Sequence, residues 1–311
     1  MAYASSAILI FDIVGCGLTH VLVGGIAETA IVFVIVPSLI VLLVFSGVQI
    51  IPDPWRNVRR HDLREAALTI PWAIFLFLLL GFIPDIAARL GMGVDLQDTH
   101  FTRLDEWFGV SVPGIVGWAS RHWLGQLANK SYPQLPRLIL ISLLLPALTG
   151  KVKQAQQFVT ANLVAFAVGM PLFALLPAIG PWYSYHFVAS PEQAKCQSDM
   201  LLIRQLGPYS HHPCAIVCFP SFHVTWAILC VPALWVFRPL RIPVAVFSGL
   251  IVFSTMTTGW HYFCDVLGGI LVAAVSTATA NWLTRSVSSS QLSHVNISSE
   301  EEPLSVMQGS N

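Results

Sequence analysis

Long apolar stretches alternate with short polar connections along most of this chain. Six of them approach or exceed the roughly 20 residues that a helix needs to cross a bilayer. They lie at about 28–51, 67–89, 156–179, 220–237, 242–259 and 262–284. A shorter apolar run at 137–150 predicts one more helix. The pattern predicts an all-α fold, a polytopic integral membrane bundle of helices.

Two further segments have less regular patterns. The stretch 7–27 is apolar but contains Asp12, His20 and several glycines, so it fits a poor span, a re-entrant segment or an interfacial helix. The connection 90–135 mixes tryptophans with polar residues. This mixture is typical of a helix that lies at the membrane interface, and it fits an ordinary loop equally well.

Composition also indicates a membrane protein. Of the 311 residues, 55% are hydrophobic and 10% are charged, whereas a soluble domain is about one quarter charged. A large soluble core would not explain so many long uncharged runs. The formal net charge is zero, which gives no basic surface for nucleic acid. The phospholipid bilayer is therefore an expected partner, and nucleic acid is not.

Basic residues predict the orientation of the bundle. They cluster in alternate connections: Arg56, Arg59, Arg60 and Arg64, then Lys151 and Lys153, then Arg238 and Arg241, and finally Arg285. Counting spans places all four clusters on one face, which the positive-inside rule makes cytoplasmic. The opposite, non-cytoplasmic face then receives the connections 90–135 and 180–219 and the turn near residue 259.

Candidate chemistry begins with two short motifs, 219–223 (FPSFH) and 259–265 (GWHYFCD). In the first motif, Pro220 suits the first turn of a helix, where a missing N–H group costs nothing. Ser221 and the free amides after it would lie at the positive end of the helix dipole, which binds phosphate readily. His223 would lie in the same turn and could exchange a proton with a bound phosphate oxygen.

The second motif contains a histidine and a carboxylate at helical spacing. His261 and Asp265 are related by i, i+4 and therefore share a helix face. Asp265 can accept the proton of one ring nitrogen of His261, which leaves the other nitrogen free as a nucleophile. An aspartate near hydrocarbon is expensive unless it is paired, and His261 is the nearest candidate partner. Gly268 and Gly269 continue this face and predict close helix packing.

Other interpretations of these motifs remain open. A histidine at a membrane interface is often only a polar residue at the water boundary, and a His–Asp pair on a helix is often structural. Two histidines on neighbouring helices could also bind haem, although ligands at two helix mouths on one side suit haem poorly. The occurrence of both motifs on one side, separated by one helical hairpin, favours a catalytic site.

Three of the six cysteines, Cys196, Cys214 and Cys218, lie in one connection between helices. If that connection faces an oxidising compartment, Cys196 could pair with Cys214 or with Cys218. Three free thiols are at least as compatible with the sequence. The spacing does not resemble that of a zinc site.

Both motifs resemble those of the type-2 phosphatidic acid phosphatase (PAP2) superfamily. Within it, they resemble the branch of the inositol phosphorylceramide synthases of the aureobasidin-resistance type and their bacterial relatives. The resemblance covers about 150–285. Ser221 and His223 match a Ser-x-His motif, with Phe222 where typical members carry glycine. The second motif of the family is matched by Ser254, His261 and Asp265.

The resemblance implies a PAP2-like six-helix core, with extra N-terminal helices in this chain, and a mechanism without metal or cofactor. It implies that His261 attacks phosphorus to form a phosphohistidine and that Asp265 orients and charges His261. His223 would protonate the leaving alkoxide, and Ser221 would hold a phosphate oxygen. Water or an acceptor alcohol would then take the phosphoryl group.

The chain departs from typical phosphatases of this family at two places. Thr255 stands where their second motif has arginine, and 180–183 (GPWY) lacks the basic residues of their first motif. A phosphate dianion normally binds Arg or Lys, and Arg204 is the best replacement, although a solvated loop charge would explain Arg204 equally well. The other candidates in this connection are Lys195, His211 and His212.

The expected function is therefore phosphatase or phosphotransferase action on a membrane lipid phosphate, pyrophosphate or phospho-headgroup donor, at the non-cytoplasmic face. A non-catalytic transporter or scaffold with the same fold is the alternative, which the missing cationic clamp weakly supports. The predicted regions are N-terminal membrane segments with a basic loop (1–66), a catalytic membrane domain (67–285, motifs in 180–285) and a polar tail (286–311). The tail is rich in Ser, Asn, Gln and Glu, which predicts a disordered cytoplasmic extension.

Overall fold

The computed structural model describes Thr69, Ala73, 83–205 and 217–300, with side chains up to residue 284 in the last helix. All regular elements of this part of the chain are helices. They are α1 (Ile83–Leu90), α2 (Asp98–Trp107), α3 (Val112–Arg121), α4 (Trp123–Ser131), α5 (Leu135–Leu148), α6 (Val152–Leu175), α7 (Pro181–Ser184), α8 (Pro191–Arg204), α9 (Phe222–Leu234), α10 (Arg241–Thr257) and α11 (Phe263–Glu300). Short 3-10 turns are Gly91–Gly93, Tyr132–Gln134 and Arg238–Leu240.

Four helical stretches are long and apolar enough to cross a membrane. They are Trp123–Leu148, Val152–Leu175, Arg238–Thr257 and Phe263–Thr284. A fifth apolar helix, α9, is shorter, with 13 residues. The prediction of an all-α membrane bundle is therefore confirmed. The predicted spans that begin at 156, 242 and 262 agree with these helices to within a few residues.

Three predicted boundaries differ from the structure. The run 137–150 belongs to the longer stretch Trp123–Leu148, in which the 3-10 turn Tyr132–Gln134 joins α4 to α5. Helix α9 starts at Phe222 with Ser221 as its N-cap, so Pro220 precedes the cap and does not occupy the first turn. The helix ends at Leu234, two residues after Pro232.

The connection 90–135, which fitted an interfacial helix or a loop, contains α2, α3 and α4. Helix α3 has a strong start, because Ser111 caps the amide of Gly114 and Pro113 lies in the first turn. Only α4 enters a membrane-length stretch. The tryptophans here thus belong to short helices, and an ordinary loop is wrong for most of this segment.

Helices α6, α9, α10 and α11 pack around one another, and α5 covers α6 and α9. Glycines allow the closest approaches, as the sequence predicted. A Cβ atom on Gly269 of α11 would lie 2.6 Å from the carbonyl oxygen of Ser221, and one on Gly268 would lie 2.8 Å from the ring of Phe219. The start of α9 therefore sits directly on α11, which brings the two motifs together.

Some predictions fall outside this part of the chain. The segment 7–27, the span 28–51, most of 67–89 and the residues 301–311 lie outside the described residues.

The backbone of α11 remains helical through 286–300, where the sequence predicts a disordered tail. Helical hydrogen bonds are local, so a helix can continue past its apolar span. The polar composition indicates only that this stretch builds no apolar core.

Candidate active site

The second motif begins with a tight turn at the end of α10. Gly259 has a φ of 73°, a conformation that favours glycine. A side chain there would also meet the ring of Phe187, 2.8 Å from the Cβ position. The amides of Trp260 and His261 both donate to the carbonyl of Thr255, each at 3.2 Å. Thr255, at the position of the family arginine, thus fixes the histidine backbone.

The structure brings His261 and Asp265 together. Both side chains are buried, and His261 Nδ1 lies 3.4 Å from Asp265 Oδ2. A nearer acceptor is the backbone carbonyl of Cys218, 3.1 Å from the same nitrogen. Because a carbonyl oxygen only accepts, Nδ1 carries the proton and Nε2 keeps its lone pair. Burial lowers the pKa of His261 to about 4, so the ring is neutral at pH 7.

Asp265 has more partners than the sequence indicated. Its Oδ2 accepts from the amide of Tyr262 at 2.8 Å and from the thiol of Cys218 at 3.1 Å. Its backbone carbonyl accepts from the amide of Ser221 at 3.1 Å. The carboxylate therefore joins the second motif to the residues that lead into α9. Cys218 is a free thiol, so it takes no part in the predicted disulfide. Cys196 is disulfide-bonded, and Cys214 lies outside the described residues.

The first motif forms the start of α9. Ser221 is buried, and its hydroxyl oxygen accepts from the amide of Val224 at 3.3 Å. That hydroxyl donates to no protein group among the described residues, and the amides of Phe222 and His223 likewise have no protein partner there. Three hydrogen-bond donors are thus free at the positive end of a helix.

His223 lies next to His261, with 6.1 Å between the two ring centroids. Tyr132 stacks on His223, with centroids 4.2 Å apart and rings inclined by 8°. Since the rings are nearly parallel, the tyrosine hydroxyl, 3.4 Å from His223 Nδ1, lies over the ring plane. Trp260 continues the stack and packs edge-on against Trp182. This aromatic row connects the 180–183 segment to His223 and His261.

Two buried carboxylates of α2 support the second motif, and sequence reasoning missed both. Asp98 accepts from the hydroxyl of Tyr262 at 2.9 Å and from the amides of Ile179 and Gly180. It thereby ties the segment after α6 to the residue that follows His261. Burial raises the pKa of Asp98. The sequence contained one signal for Asp98, because a membrane chain keeps a buried aspartate only where it has partners.

Asp105, two helical turns after Asp98, caps the start of α11. It accepts from the amides of Phe263 and Cys264 at 3.0 and 3.2 Å. Burial, with a smaller contribution from the charge of Asp265, raises the pKa of Asp105 to about 6. The start of α11 thus has its own anionic partner.

Arg204 is placed differently from the predicted phosphate ligand. Its guanidinium group donates to the backbone carbonyls of Gly91, Met92 and Val94. These contacts fix α8 to the turn after α1, and none of them involves His223 or His261. Lys195 pairs with Asp199 at 3.1 Å. The other candidates, His211 and His212, lie outside the described residues.

A polar cavity of about 460 Å³ lies beside the aromatic row. Its lining includes Asp98, Thr102, Trp182, His186 and Gln197. No lysine or arginine lines it among the described residues. The cavity offers hydroxyl, amide and imidazole groups, but it does not supply the missing cationic clamp.

One group of side chains could hold a metal ion. Cys218, His261 and Asp265 each offer a ligand atom, and these atoms lie within 4.8 Å of one another. All three side chains are buried. The site therefore combines a histidine pair, an open helix start and a cluster of potential metal ligands.

Comparison with known proteins agrees with the two motifs. No curated protein and no solved structure matches the chain at a significant level. A family model described as the PAP2 superfamily matches residues 99–279, which include both histidines, Asp265 and Asp105. The match covers more than half of the 311 residues, and the chain belongs to the PAP2 superfamily.

Proposed function

We propose that this protein is a membrane lipid-phosphate phosphatase or phosphotransferase that works through a phosphohistidine at His261. The observation that carries the proposal is the hydrogen bonding of the His261 ring. Its Nδ1 is committed to Cys218 and Asp265, so its Nε2 lone pair is available, and His223 lies beside it. This is the arrangement of a nucleophile held by a carboxylate next to a second proton-transfer group.

In the first proposed step, His261 Nε2 attacks the phosphorus of the lipid substrate. The bond from phosphorus to the lipid oxygen breaks, and His223 gives a proton to the leaving alkoxide. Asp265 stabilises the positive charge on the phosphorylated imidazole. In the second step, His223 accepts a proton from water or an alcohol, whose oxygen attacks phosphorus and displaces His261.

The open start of α9 is the proposed anion-binding element. The Ser221 hydroxyl and the amides of Phe222 and His223 are the free donors, and helix starts favour negative charge. We propose that these groups replace part of the missing cationic clamp. Under this proposal Arg204 supports α8 through its carbonyl contacts.

Arg204→Ala distinguishes these two roles. A supporting role predicts a lower melting temperature with an unchanged KM in the folded protein. A phosphate ligand predicts an increase of KM of roughly tenfold or more with little change in melting temperature. The second result would confirm the sequence-based prediction that Arg204 binds phosphate.

The lipid and the acceptor are also part of the proposal. A synthase-like branch would transfer a phospho-headgroup to a lipid alcohol, and the cavity beside Trp182 supports this choice because it offers hydroxyl, amide and imidazole groups to an alcohol. We place the active site on the non-cytoplasmic face, following the positions of the basic clusters. Among the described residues, neither Lys nor Arg lines that cavity, which also suits a non-catalytic transporter or scaffold, the alternative function.

The test uses purified protein in detergent with EDTA. It is offered phosphatidic acid, isoprenyl pyrophosphate, or phosphatidylinositol with ceramide, while phosphate release and headgroup transfer are measured. We expect activity on at least one lipid, and a fall of at least roughly 10³-fold in His261→Ala. His122→Ala is the matched control, because His122 is exposed and bonds only to its own helix.

Three results would contradict the proposal. Absence of turnover on every lipid would favour the non-catalytic alternative. Full activity in His261→Ala would exclude this nucleophile. Activity lost in EDTA and restored by a divalent metal would exclude the metal-independent route.

A further inference from the structure

The cluster of Cys218, His261 and Asp265 contains a free thiol that the proposed reaction does not use. Cys218 Sγ lies 3.1 Å from Asp265 Oδ2, and His261 Nδ1 lies 3.4 Å from the same oxygen. The carbonyl oxygen of Cys218 is 3.1 Å from that nitrogen. One sulfur, one nitrogen and two oxygens thus surround a single small volume.

These separations suit a small tetrahedral cation. Zinc bonds of about 2.0–2.3 Å to N, O and S ligands imply distances of about 3.3–3.8 Å between neighbouring ligands. The separations of 3.1 and 3.4 Å from Asp265 Oδ2 are close to that range. All three ligand atoms lie within 4.8 Å of one another, so the side chains must move by up to about 1 Å to bind an ion. The hydrogen bonds that now hold the three side chains together would be replaced by bonds to the ion.

We propose that Cys218, His261 and Asp265 form an inhibitory site for a thiolate-binding divalent cation such as Zn²⁺. The inhibitory part of this inference rests on the proposed function. A neutral imidazole that binds metal through Nδ1 carries its proton on Nε2. The nucleophilic lone pair of His261 is then lost, and Asp265 no longer orients the ring.

The chemistry of the ligands sets the cation selectivity. A thiolate favours Zn²⁺, Cd²⁺ and Co²⁺, whereas Mg²⁺ and Ca²⁺ prefer six or more oxygen ligands. Binding requires loss of the thiol proton of Cys218, which passes to solvent.

Cobalt provides a direct readout that does not depend on turnover. Tetrahedral Co²⁺ bound to a thiolate gives an intense near-ultraviolet charge-transfer band. Full-length protein in detergent, free of any polyhistidine tag, is titrated with Co²⁺ and then with Zn²⁺. We expect the band to appear at about one Co²⁺ per chain and to be displaced by Zn²⁺.

Two serine variants locate the ligand. Cys218→Ser removes the proposed thiolate and should abolish the band. Cys264→Ser is the matched control: its thiol also lies near the carboxylate, 3.9 Å from Asp265 Oδ1, but it is outside the ligand set. It should keep the band.

Inhibition is measured as the Zn²⁺ concentration that halves each protein's own uninhibited rate. We expect that concentration to be at least roughly tenfold higher in Cys218→Ser than in wild type and Cys264→Ser. Absence of the band in wild type, or its persistence in Cys218→Ser, would overturn the metal site. A band without any enzymatic turnover would support the metal site and count against the proposed function.

Discussion

Helices α9 and α11 begin side by side, but the backbone amides of their first turns differ in whether a protein group accepts their hydrogen bonds. At the start of α11, Asp105 accepts from the amides of Phe263 and Cys264. At the start of α9, the amides of Phe222 and His223 have no protein partner among the described residues. One helix start is closed by a carboxylate of the protein, and the other is open.

This difference suggests separate roles for the two helix starts: α11 positions side chains, and α9 binds an anion. A closed helix start has no donors to offer an anion, so α11 serves to hold His261 and Asp265 in place. An open start has donors and a positive dipole end, so we propose α9 as the place for the phosphate. The two starts touch through Ser221 and Asp265, which puts the proposed nucleophile beside the proposed anion site.

The largest effect should come from removing the charge of Asp265, which lies in the first turn of α11. Asp265→Asn keeps the size of the side chain but loses the stabilisation of positive charge on His261. We expect turnover to fall by roughly 10³–10⁴-fold on the lipid that wild type uses. Steady-state kinetics measure it, and a circular dichroism melt verifies folding. A loss of less than tenfold in a folded variant would mean that the Cys218 carbonyl alone orients the ring.

The next effect should come from separating the two starts. A Cβ atom in Gly269→Ala would lie 2.6 Å from the Ser221 carbonyl oxygen, so α9 must shift. A displacement approaching 1 Å at a reacting group costs about 10²-fold in rate. Gly249→Ala is the matched control, because its Cβ position has nothing within 4 Å.

Turnover and melting temperature of both alanine variants are compared with wild type. We expect Gly249→Ala to be active and at least as stable as wild type, since alanine favours a helix. Equal activity in both variants would show that the contact between the starts does not set the geometry.

A smaller effect should follow from weakening the open start itself. Ser221→Ala removes the N-cap and one proposed phosphate donor, whereas Ser111→Ala removes an equivalent N-cap of α3. Both should lose about 0.5–2 kcal/mol of stability. Only Ser221→Ala should also raise KM, by roughly tenfold for one lost hydrogen bond to a charged group. Equal KM values in the two variants would remove Ser221 from the anion site.

Local patterns predicted much of this arrangement. The apolar runs located the spans, and the i, i+4 spacing predicted the His261–Asp265 contact. The predicted shared helix face was wrong, because His261 lies two residues before α11 begins. The Gly268–Gly269 pair predicted the close approach of two helices. Each of these depends on residues that are neighbours along the chain or on one helix face, so the sequence contains the signal directly.

Long-range partners could not be predicted in that way. Asp98 and Asp105 meet the second motif across about 160 residues of sequence, and no periodicity records such a contact. The carbonyl of Cys218 is a backbone group, which every residue has, so nothing in the sequence marks it as the acceptor for His261. Arg204 shows the converse case: its charge suggested a phosphate ligand, but nearby carbonyls in the fold occupy it.

The last predicted effect concerns the electrostatic cost of burying the Asp105 carboxyl group at the start of α11. Asp105 is buried, and this raises its pKa to about 6, above the value of about 4 in an unfolded chain. Between these values the folded protein binds the proton more readily than the unfolded chain does. Its stability therefore falls as the pH rises from about 4 to about 6, with a limit of roughly 1.4 kcal/mol for each pH unit.

Asp105→Asn keeps one acceptor for the helix amides and has no titrating carboxyl group. Its melting temperature minus that of wild type should therefore increase from pH 4 to about 6 and stay level above that range. The comparison requires only thermal melts in one detergent at several pH values, and Asp98 contributes equally to both proteins. A difference that is constant across this range would mean that the carboxylate of Asp105 is as well stabilised at the helix start as it is in water. The closed start of α11 would then carry no electrostatic cost.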